Sequence, residues 1–517
     1  MLNKLKINKK QDDAEKRLFS AEMKEKVTTF ILDNIVVIIF AVIVIFGIIV
    51  SRGGITRNYS IYFQTLFSDL SQRIFRNSFL VMSLVIPVIA GLGLNFGIVV
   101  GAIAGQTALI FLRYQGHYYP ALGGLNGFML ALLISLPIAV LFGYLTGKLY
   151  NKVQGQEMIA GLIVSYFAAG IYNFIFLFAV GYIIPVDGTN PIIISASSQG
   201  RAAGVRMTMD MDTIRGSVDS IIQIPLLHLI LILATVMMCY FVFKHIRIYN
   251  KSKKVLAVPA VSVVIIALTG VLSVLGIPGT LLVITSLVGL LILIGFLVYF
   301  YYQQKRKDPD HAIEGKMMLI FSCAMACALS LWASYNIIFD TGLNAERVSN
   351  APVVTILMSV ALFFFTGYIM KTKLGQDFRA VGQNRQIAEV LGINVNRTRI
   401  IATVLSTVFA SWGMIIFLQN MGTVNVYDSH RNIGLFAVAS ILVGGASTSR
   451  ASLRNVIVGL ILFNAMAIVA PDIGRFVFGE AVMGEYFRSF MQYAAIGVAL
   501  GLYVWRANKA ARKQNTL

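Results

Sequence analysis

The side chains that could carry chemistry in this sequence are few, and no set of them has the spacing of a catalytic centre. Cys239, Cys323 and Cys327 all lie within apolar runs, with no His or carboxylate beside them at the spacing of metal ligands. The five histidines are scattered, and the sequence contains no HExxH motif, no nucleophile elbow and no GxxxxGK[ST] phosphate-binding loop. The sequence therefore predicts neither a catalytic nor a metal site, and any ATP chemistry would have to come from another chain.

The polar residues with the most informative spacing form an island at residues 371–399, between two long apolar runs. Gly382 permits a turn, Asn384 suits a helix N-cap and Gly392 suits a C′ position. Together these residues predict a short helix over Arg385–Leu391. A helix of about two turns is not stable alone in water, so another part of the protein must support it.

One face of this predicted helix is apolar. Ile387, Val390 and Leu391 recur at i, i+3 and i+4, whereas Arg385 and Gln386 stay solvated. A short amphipathic helix on a basic loop favours docking into a groove on a soluble partner. The alternative is a connector whose apolar face rests on the lipid interface or on its own helix bundle.

Composition indicates that membrane-spanning helices position this island. Of the 517 residues, 57% are hydrophobic and 13% are charged, with a mean hydropathy of +0.77, whereas a soluble domain has about 25% charged residues. We expect an all-α polytopic membrane protein, a bundle of about 12–14 transmembrane helices with discontinuous helices near the substrate pathway. The net charge of +20 comes from basic residues between apolar spans, which follow the positive-inside rule and do not form a nucleic-acid surface.

The apolar runs and basic clusters divide the chain into six segments. Residues 51–76, which are mixed and polar, are predicted to lie outside the membrane after a first span over residues 30–50. The six predicted segments are a cytoplasmic basic leader at 1–28, a first part of the core at 29–184, an extracytoplasmic loop at 185–223, an inserted transmembrane module at 224–315, a second part of the core at 316–506 and a cytoplasmic tail at 507–517.

A second informative stretch lies within residues 77–113, which are long enough for two membrane passes with a break near Gly91–Asn95. Four glycines here recur at every fourth position: Gly93, Gly97, Gly101 and Gly105. A helix continuing through them would let another helix approach closely. Because glycine weakens a helix and Asn95 brings a polar group to the break, a discontinuous helix that lines a pathway is the other interpretation.

The polar island resembles the cytoplasmic coupling loop of the ATP-binding-cassette (ABC) importer permeases that serve simple sugars, nucleosides and branched-chain amino acids. The matching residues are Arg379-Ala380-Val381-Gly382, Asn384, Ala388, Gly392-Ile393 and Arg397. In that family the loop carries a helix that sits in a cleft of a separate ATPase subunit. The resemblance implies that the residues coupling this chain to an ATPase are Gly375, Arg379, Gly382, Asn384, Arg385, Ile387, Val390, Leu391 and Gly392.

Two other stretches resemble the same family. One contains Asn95 and the pair Gly105-Gln106, and the other is residues 155–159, which open a central helix. Glu157 in the second stretch would lie in the first helical turn, where an acid favours the helix dipole, and we prefer that structural role to a catalytic one.

The resemblance also implies the partners. We expect an ABC ATPase subunit that holds ATP and Mg²⁺, with no cofactor in this chain itself. A second permease subunit or a second copy of this chain, an extracytoplasmic solute-binding protein and the lipid bilayer complete the expected partners, and nucleic acid is not among them. The expected location is the bacterial cytoplasmic (inner) membrane, as a multi-pass protein with both termini in the cytoplasm.

An ion-coupled secondary transporter is the alternative. A proton-coupled carrier commonly places Asp, Glu or His near mid-membrane, and only His228 lies well inside a predicted span; sodium held by backbone carbonyls would leave no such mark. Asn95, Gln106, Tyr166 and Asn173 would give an uncharged polar lining suited to a nucleoside or a simple sugar, with a branched-chain amino acid next. Each of these residues is also of a type that packs helices together.

Overall fold

The computed structural model describes residues 34–54, 59–196, 201–225, 229, 331, 350–447 and 450–514. The basic leader at 1–28 lies outside these ranges, and so does nearly all of the inserted module predicted at 224–315. His228 and the three cysteines also lie outside them.

Helices dominate the described residues. The first six are α1 (Ile35–Gly54), α2 (Tyr59–Ser83), α3 (Val85–Ile89), α4 (Ile98–Gly116), α5 (Gly124–Lys152) and α6 (Glu157–Phe174). A π-helical turn at Ile175–Ala179 and one further turn at Val180–Tyr182 continue α6. The helices that follow residue 350 are α7 (Val353–Ile369), α8 (Lys373–Gln383), α9 (Arg385–Val390), α10 (Val395–Met421), α11 (Ser429–Val443), α12 (Leu453–Phe478) and α13 (Ala481–Gln514).

The strands are short and pair into two-stranded antiparallel ribbons. In chain order they are β1 (Ile193–Ala196), β2 (Arg201–Val205), β3 (Thr208–Asp210), β4 (Gln223–Pro225), β5 (Asn350–Pro352) and β6 (Thr423–Asn425). β1 pairs with β2, β3 with β6, and β4 with β5. The residues predicted as an extracytoplasmic loop, 185–223, therefore hold β-ribbons, and the β3–β6 ribbon ties that loop to the connection between α10 and α11.

The chain forms two compact units. One unit comprises Met1–Ile55, Arg73–Ser217 and Met358–Leu517, and contains α3–α6 and α8–α13. The other unit comprises Thr56–Gln72 and Val218–Leu357, and contains the β4–β5 ribbon. Inside this second unit the Thr355 hydroxyl donates a hydrogen bond to the buried Asp219 carboxylate at 2.5 Å.

The core of the first unit is built around α10, which packs against α4 and α5. Small residues allow this close approach: a Cβ atom at Gly101 or Gly105 would collide with the backbone carbonyl of Thr407 or Ser411 on α10. This is the small-residue packing by which membrane helices associate without a hydrophobic driving force between them.

The structure confirms the fold class, an all-α polytopic membrane protein. Among the described residues, six helices are long and apolar enough to cross a membrane: they comprise residues 65–89, 98–116, 124–152, 157–182, 395–421 and 453–478. The pair α7 and α8, which is bent by 72° at a short break, would bring the number to seven. The apolar runs of the sequence also predict spans at 224–243, 255–275, 280–302 and 317–338, and these four fall almost entirely outside the described residues.

One sequence expectation is wrong. Residues 51–76 were expected outside the membrane, but α2 runs through them from Tyr59, and residues 65–76 belong to the candidate span at 65–89. Leu66 is buried in this helix while Asp69 is exposed, so polar and apolar residues share a helix. Of the two interpretations of the spaced glycines, the structure shows the discontinuous helix: Gly93 lies in the break between α3 and α4 with φ +70°, and Gly97 is the N-cap of α4.

Candidate coupling surface and polar core

The helix predicted over Arg385–Leu391 is present as α9, which ends at Val390 with Leu391 as its C-cap. The Asn384 side chain accepts a hydrogen bond from the Ile387 backbone N–H at 3.1 Å, so Asn384 is the N-cap. At the other end Gly392 has φ +79°, and the Ile393 N–H donates to the Ala388 carbonyl at 3.0 Å, as in a Schellman motif. Both predicted caps are confirmed, and they fix the ends of a helix too short to be stable alone.

The side of α9 that faces the protein is a single small residue. Ala388 is 1% exposed and packs with the buried Val381 of α8 and Val395 of α10, and Ala380 and Ile393 pack against this cluster. The neighbouring α8 and α10 therefore provide the support that a helix as short as α9 needs.

The larger apolar side chains of α9 point away from the protein. Val390 is 87% exposed, Leu391 is 70% exposed and Ile387 is 57% exposed. The alternative in which this face rests on its own bundle is therefore wrong for the part of the chain that the structure describes. Such a contiguous exposed apolar surface is typical of an interaction site.

The segment leading into α9 touches the broken helix directly, backbone to backbone. A Cβ atom at Gly382, near the end of α8, would collide with the Ile89 carbonyl at the end of α3. A Cβ atom at Gly91, which has φ +74° in the break, would lie 2.9 Å from the Gly382 Cα. Only glycine at these two positions allows such an approach.

Asn95 holds the other side of this break in place. Its Oδ1 accepts hydrogen bonds from the Tyr150 hydroxyl of α5 at 2.7 Å and from the Gly97 N–H at 2.9 Å. Its Nδ2 donates to the Ser406 hydroxyl of α10 at 3.1 Å. Because all these groups are buried, the network ties the break to α4, α5 and α10.

An ion pair joins α6 to α10. The Arg399 guanidinium of α10 contacts the Glu157 carboxylate in the first turn of α6, and the two side chains are only 4% and 12% exposed. The expected place of Glu157 in the first turn of the helix is confirmed, and the structure adds a charged partner 242 positions away in the sequence.

The four residues predicted to line a solute pathway have different surroundings. Asn95 is in the network above, and Gln106 donates to the Val426 carbonyl at 2.8 Å while its Oε1 lies 3.2 Å from His430 Nδ1. Tyr166 is exposed on the side of α6, and Asn173 is half-buried further along that helix. Asn95 and Gln106 thus act in helix packing, and a solute contact at any of the four stays a prediction.

Sequence reasoning missed a cluster of polar groups between α6 and α11. Three of its buried polar atoms have no hydrogen-bond partner among the described residues: Tyr172 Oη, His430 Nε2 and Arg431 Nε. The Tyr172 and His430 rings meet edge to face at 4.9 Å, and the Arg431 guanidinium lies 6.0 Å from the centre of the Tyr166 ring. Buried polar atoms are rarely left unpaired, so three of them together mark a candidate functional site.

The apolar run that predicts a span in this part of the chain starts only at Gly434. The cluster was missed because α11 begins five residues earlier. Asp428 and Ser429 are residue types that favour a helix start, and α11 does begin at Ser429. Extending the helix to that signal would have placed His430 and Arg431 in its first turn.

The comparisons with known proteins find similarity to transport permeases. Residues 254–496 match the family described as "Branched-chain amino acid transport system / permease component". The chain is 31% identical over 137 residues to a probable ABC transporter permease protein of Escherichia coli, a match that covers 26% of this chain and 41% of the relative. No solved structure matches this chain.

Two further relatives are a nucleoside ABC transporter permease protein of Lactococcus lactis and a xylose transport system permease protein of Haemophilus influenzae. The first is 25% identical over 215 residues (38% of this chain, 66% of the relative), and the second is 26% identical over 216 residues (41% and 52%). The chain thus spans about half the length of the curated relatives it matches. These matches show that the chain is similar to permease proteins of ABC transporters.

Proposed function

We propose that this chain is the membrane permease subunit of an ABC importer for a small polar solute, and that a separate subunit hydrolyses the ATP. The observation that carries this proposal is α9, a capped helix that directs Ile387, Val390 and Leu391 away from the protein. An exposed apolar helix face of this kind suits a hydrophobic groove on a soluble ATPase. The named functions of the relatives support the same conclusion.

The contacts of residues 371–399, called the coupling segment from here on, suggest how a movement of the ATPase would reach the membrane helices. ATP-driven closure of two ATPase subunits would displace α9, and α8 would move with it. Because Gly382 touches Ile89 and Gly91, that displacement would reach the break between α3 and α4. Through the hydrogen bonds of Asn95, the displacement would then move α5 and α10. Movement of these helices would switch the solute cavity between outward and inward access.

The remaining partners and the location are part of this proposal. We place ATP and Mg²⁺ on the ATPase subunit, with none held by this chain. A second permease subunit, or a second copy of this chain, and an extracytoplasmic solute-binding protein complete the importer in the bacterial cytoplasmic membrane, with both termini of this chain in the cytoplasm. The long, largely exposed apolar sides of α5 and α6 would face the bilayer or the second permease subunit.

For the solute, we propose a nucleoside or a simple sugar ahead of a branched-chain amino acid. Nucleoside, xylose and galactose permeases are among the relatives. The unpaired polar atoms between α6 and α11 offer both donors and an acceptor, beside the Tyr166 ring. A neutral solute with several hydrogen-bonding groups would satisfy them, and binding would require α6 and α11 to separate because His430 is fully buried.

The function is tested in vesicles that carry this chain, its ATPase subunit and the solute-binding protein. We expect uptake of radiolabelled adenosine or xylose on addition of ATP inside the vesicles, and none from an imposed proton or sodium gradient. Uphill uptake by vesicles that carry this chain alone, driven by an ion gradient, would instead identify a secondary transporter.

The replacement Gly382→Ala is expected to uncouple transport from ATP hydrolysis. The added methyl group collides with the Ile89 carbonyl, so α8 and the break must move apart, while the exposed face of α9 is unchanged. We expect ATPase association to persist and ATP-driven uptake to fall about tenfold or more, the effect of losing roughly 1.4 kcal/mol of coupling. Gly497→Ala is the control, because a Cβ atom there meets no neighbour within 4 Å. Equal uptake by both variants would contradict the proposed contact.

The replacement Arg431→Gln is expected to weaken solute transport without weakening ATPase association. It shortens the side chain that lies over Tyr166 and removes the charge from the α6–α11 cluster. We expect about a tenfold loss in the apparent affinity for solute, consistent with one hydrogen bond to a charged group, measured as the KM of ATP-driven uptake. Arg475→Gln, an exposed arginine at the end of α12, should leave KM unchanged. An unchanged KM in Arg431→Gln would remove this cluster from the pathway.

A further inference from the structure

A cleft of about 1040 Å³ opens beside the coupling segment, where the ends of α3, α7 and α8 meet the start of α12. Four basic side chains line it, and no acidic one does: Lys371, Arg379, Arg450 and Arg454. All four are exposed, and none forms an ion pair within the described residues. The cleft therefore concentrates positive charge that the described part of the chain does not neutralise.

The rest of the lining is largely apolar. Val85 and Ile89 of α3, Met370 after α7 and Leu453 of α12 contribute side chains to it. A ligand that matches this cleft must carry a negative group and also tolerate an apolar surface. A small, fully hydrated anion would match only the basic part.

The two helices that border the cleft connect it to the lipid-facing surface. α7 and α12 approach each other there, since a Cβ atom at Gly367 would lie 3.6 Å from Leu453 Cδ1. Phe364, one turn before Gly367, is 76% exposed, and Ile457, one turn after Leu453, is 48% exposed. Exposed apolar side chains on membrane-spanning helices face acyl chains, so the basic groups of the cleft lie next to the end of the acyl-chain region.

We propose that this cleft binds the phosphate headgroup of an anionic phospholipid, with its acyl chains along Phe364 of α7 and Ile457 of α12. Arginine pairs with phosphate through two parallel hydrogen bonds, and basic pockets between membrane helices recognise anionic headgroups. An acidic protein segment could pair with the cations, but it would leave the adjoining lipid-facing surface uncovered. A lipid matches both the cations and that surface, so it is the better match. Because Arg379 and Gly382 belong to both the cleft and the coupling segment, a bound lipid would stabilise the position of α8.

The test measures lipid retention by native mass spectrometry of the purified chain, offered phosphatidylglycerol or phosphatidylcholine in equal amounts. The variant Lys371→Gln/Arg450→Gln/Arg454→Gln removes three cations of the cleft. The control variant Lys148→Gln/Lys152→Gln/Arg475→Gln removes three exposed cations elsewhere. We expect the unmodified chain and the control to retain phosphatidylglycerol preferentially. We expect the cleft variant to bind it on the order of 100-fold more weakly, from roughly 1 kcal/mol per basic residue.

Several results would overturn the proposal. Equal retention of the two lipids by the unmodified chain would do so, and so would equal losses in the cleft and control variants. If sn-glycerol 3-phosphate alone bound as tightly as the lipid, the site would serve a soluble phosphate. If the cleft variant kept its lipid but lost the ATPase subunit, the cleft would bind an acidic protein surface. All variants alter exposed side chains, and size-exclusion chromatography checks that they remain folded.

Discussion

Replacing Ile387 and Leu391 with Asp is expected to abolish association with the ATPase subunit. Both side chains lie on the exposed face of α9, beside Val390, and two carboxylates would have to be desolvated in an apolar groove. Each central apolar residue of such an interface contributes about 2 kcal/mol or more. The double replacement should therefore weaken binding by at least about 100-fold.

The first measurement is co-purification of the ATPase subunit. The second is the dissociation constant for binding of the detergent-solubilised chain to the immobilised ATPase subunit. Asn396→Asp is the control, because it adds a carboxylate to an exposed position in the first turn of α10, directly after Val395 of the cluster that supports α9. That control should bind normally, since an acid near a helix N-terminus is also favourable for stability. Undiminished co-purification of the double variant would reject α9 as the coupling helix.

The features of α9 that the sequence predicted correctly are those that depend on neighbouring residues. Asn384 and Gly392 determine the helix ends through hydrogen bonds that reach three to five residues along the chain, so local spacing predicts them. The direction of the apolar face was left open for the opposite reason. It depends on Ala388 packing against Val381 and Val395, and which of several apolar residues a helix buries is decided by its neighbours in the fold.

The contacts between distant segments could not be predicted from one sequence. Nothing near Glu157 indicates that its partner is Arg399, and nothing near Gly91 indicates that Gly382 will touch it. Asn95 is different, because a polar residue at a glycine-rich break between apolar runs does indicate a role at that break. Its hydrogen-bond partners, Tyr150 and Ser406, could be identified only from the folded structure. The mechanism proposed above depends mainly on such long-range contacts.

The replacement Glu157→Gln is expected to cost about 3–5 kcal/mol of unfolding free energy, because it leaves the buried Arg399 charge without its partner. The double replacement Glu157→Leu/Arg399→Met should return to within about 1–2 kcal/mol of the unmodified chain, since a buried ion pair gains little over an apolar pair once desolvation is counted.

The exposed pair on α9 supplies a matched control for this prediction. Arg385 Nε lies 3.2 Å from Glu389 Oε1, and these side chains are 30% and 53% exposed. Because solvent screens such a pair, Glu389→Gln should cost only about 0.5 kcal/mol or less. The free energies are measured by denaturant unfolding of each variant in the same detergent. If Glu157→Gln were no more destabilising than Glu389→Gln, the pair between α6 and α10 would not hold these helices together. A double replacement as unstable as Glu157→Gln alone would show that the loss comes from packing and not from an unpaired charge.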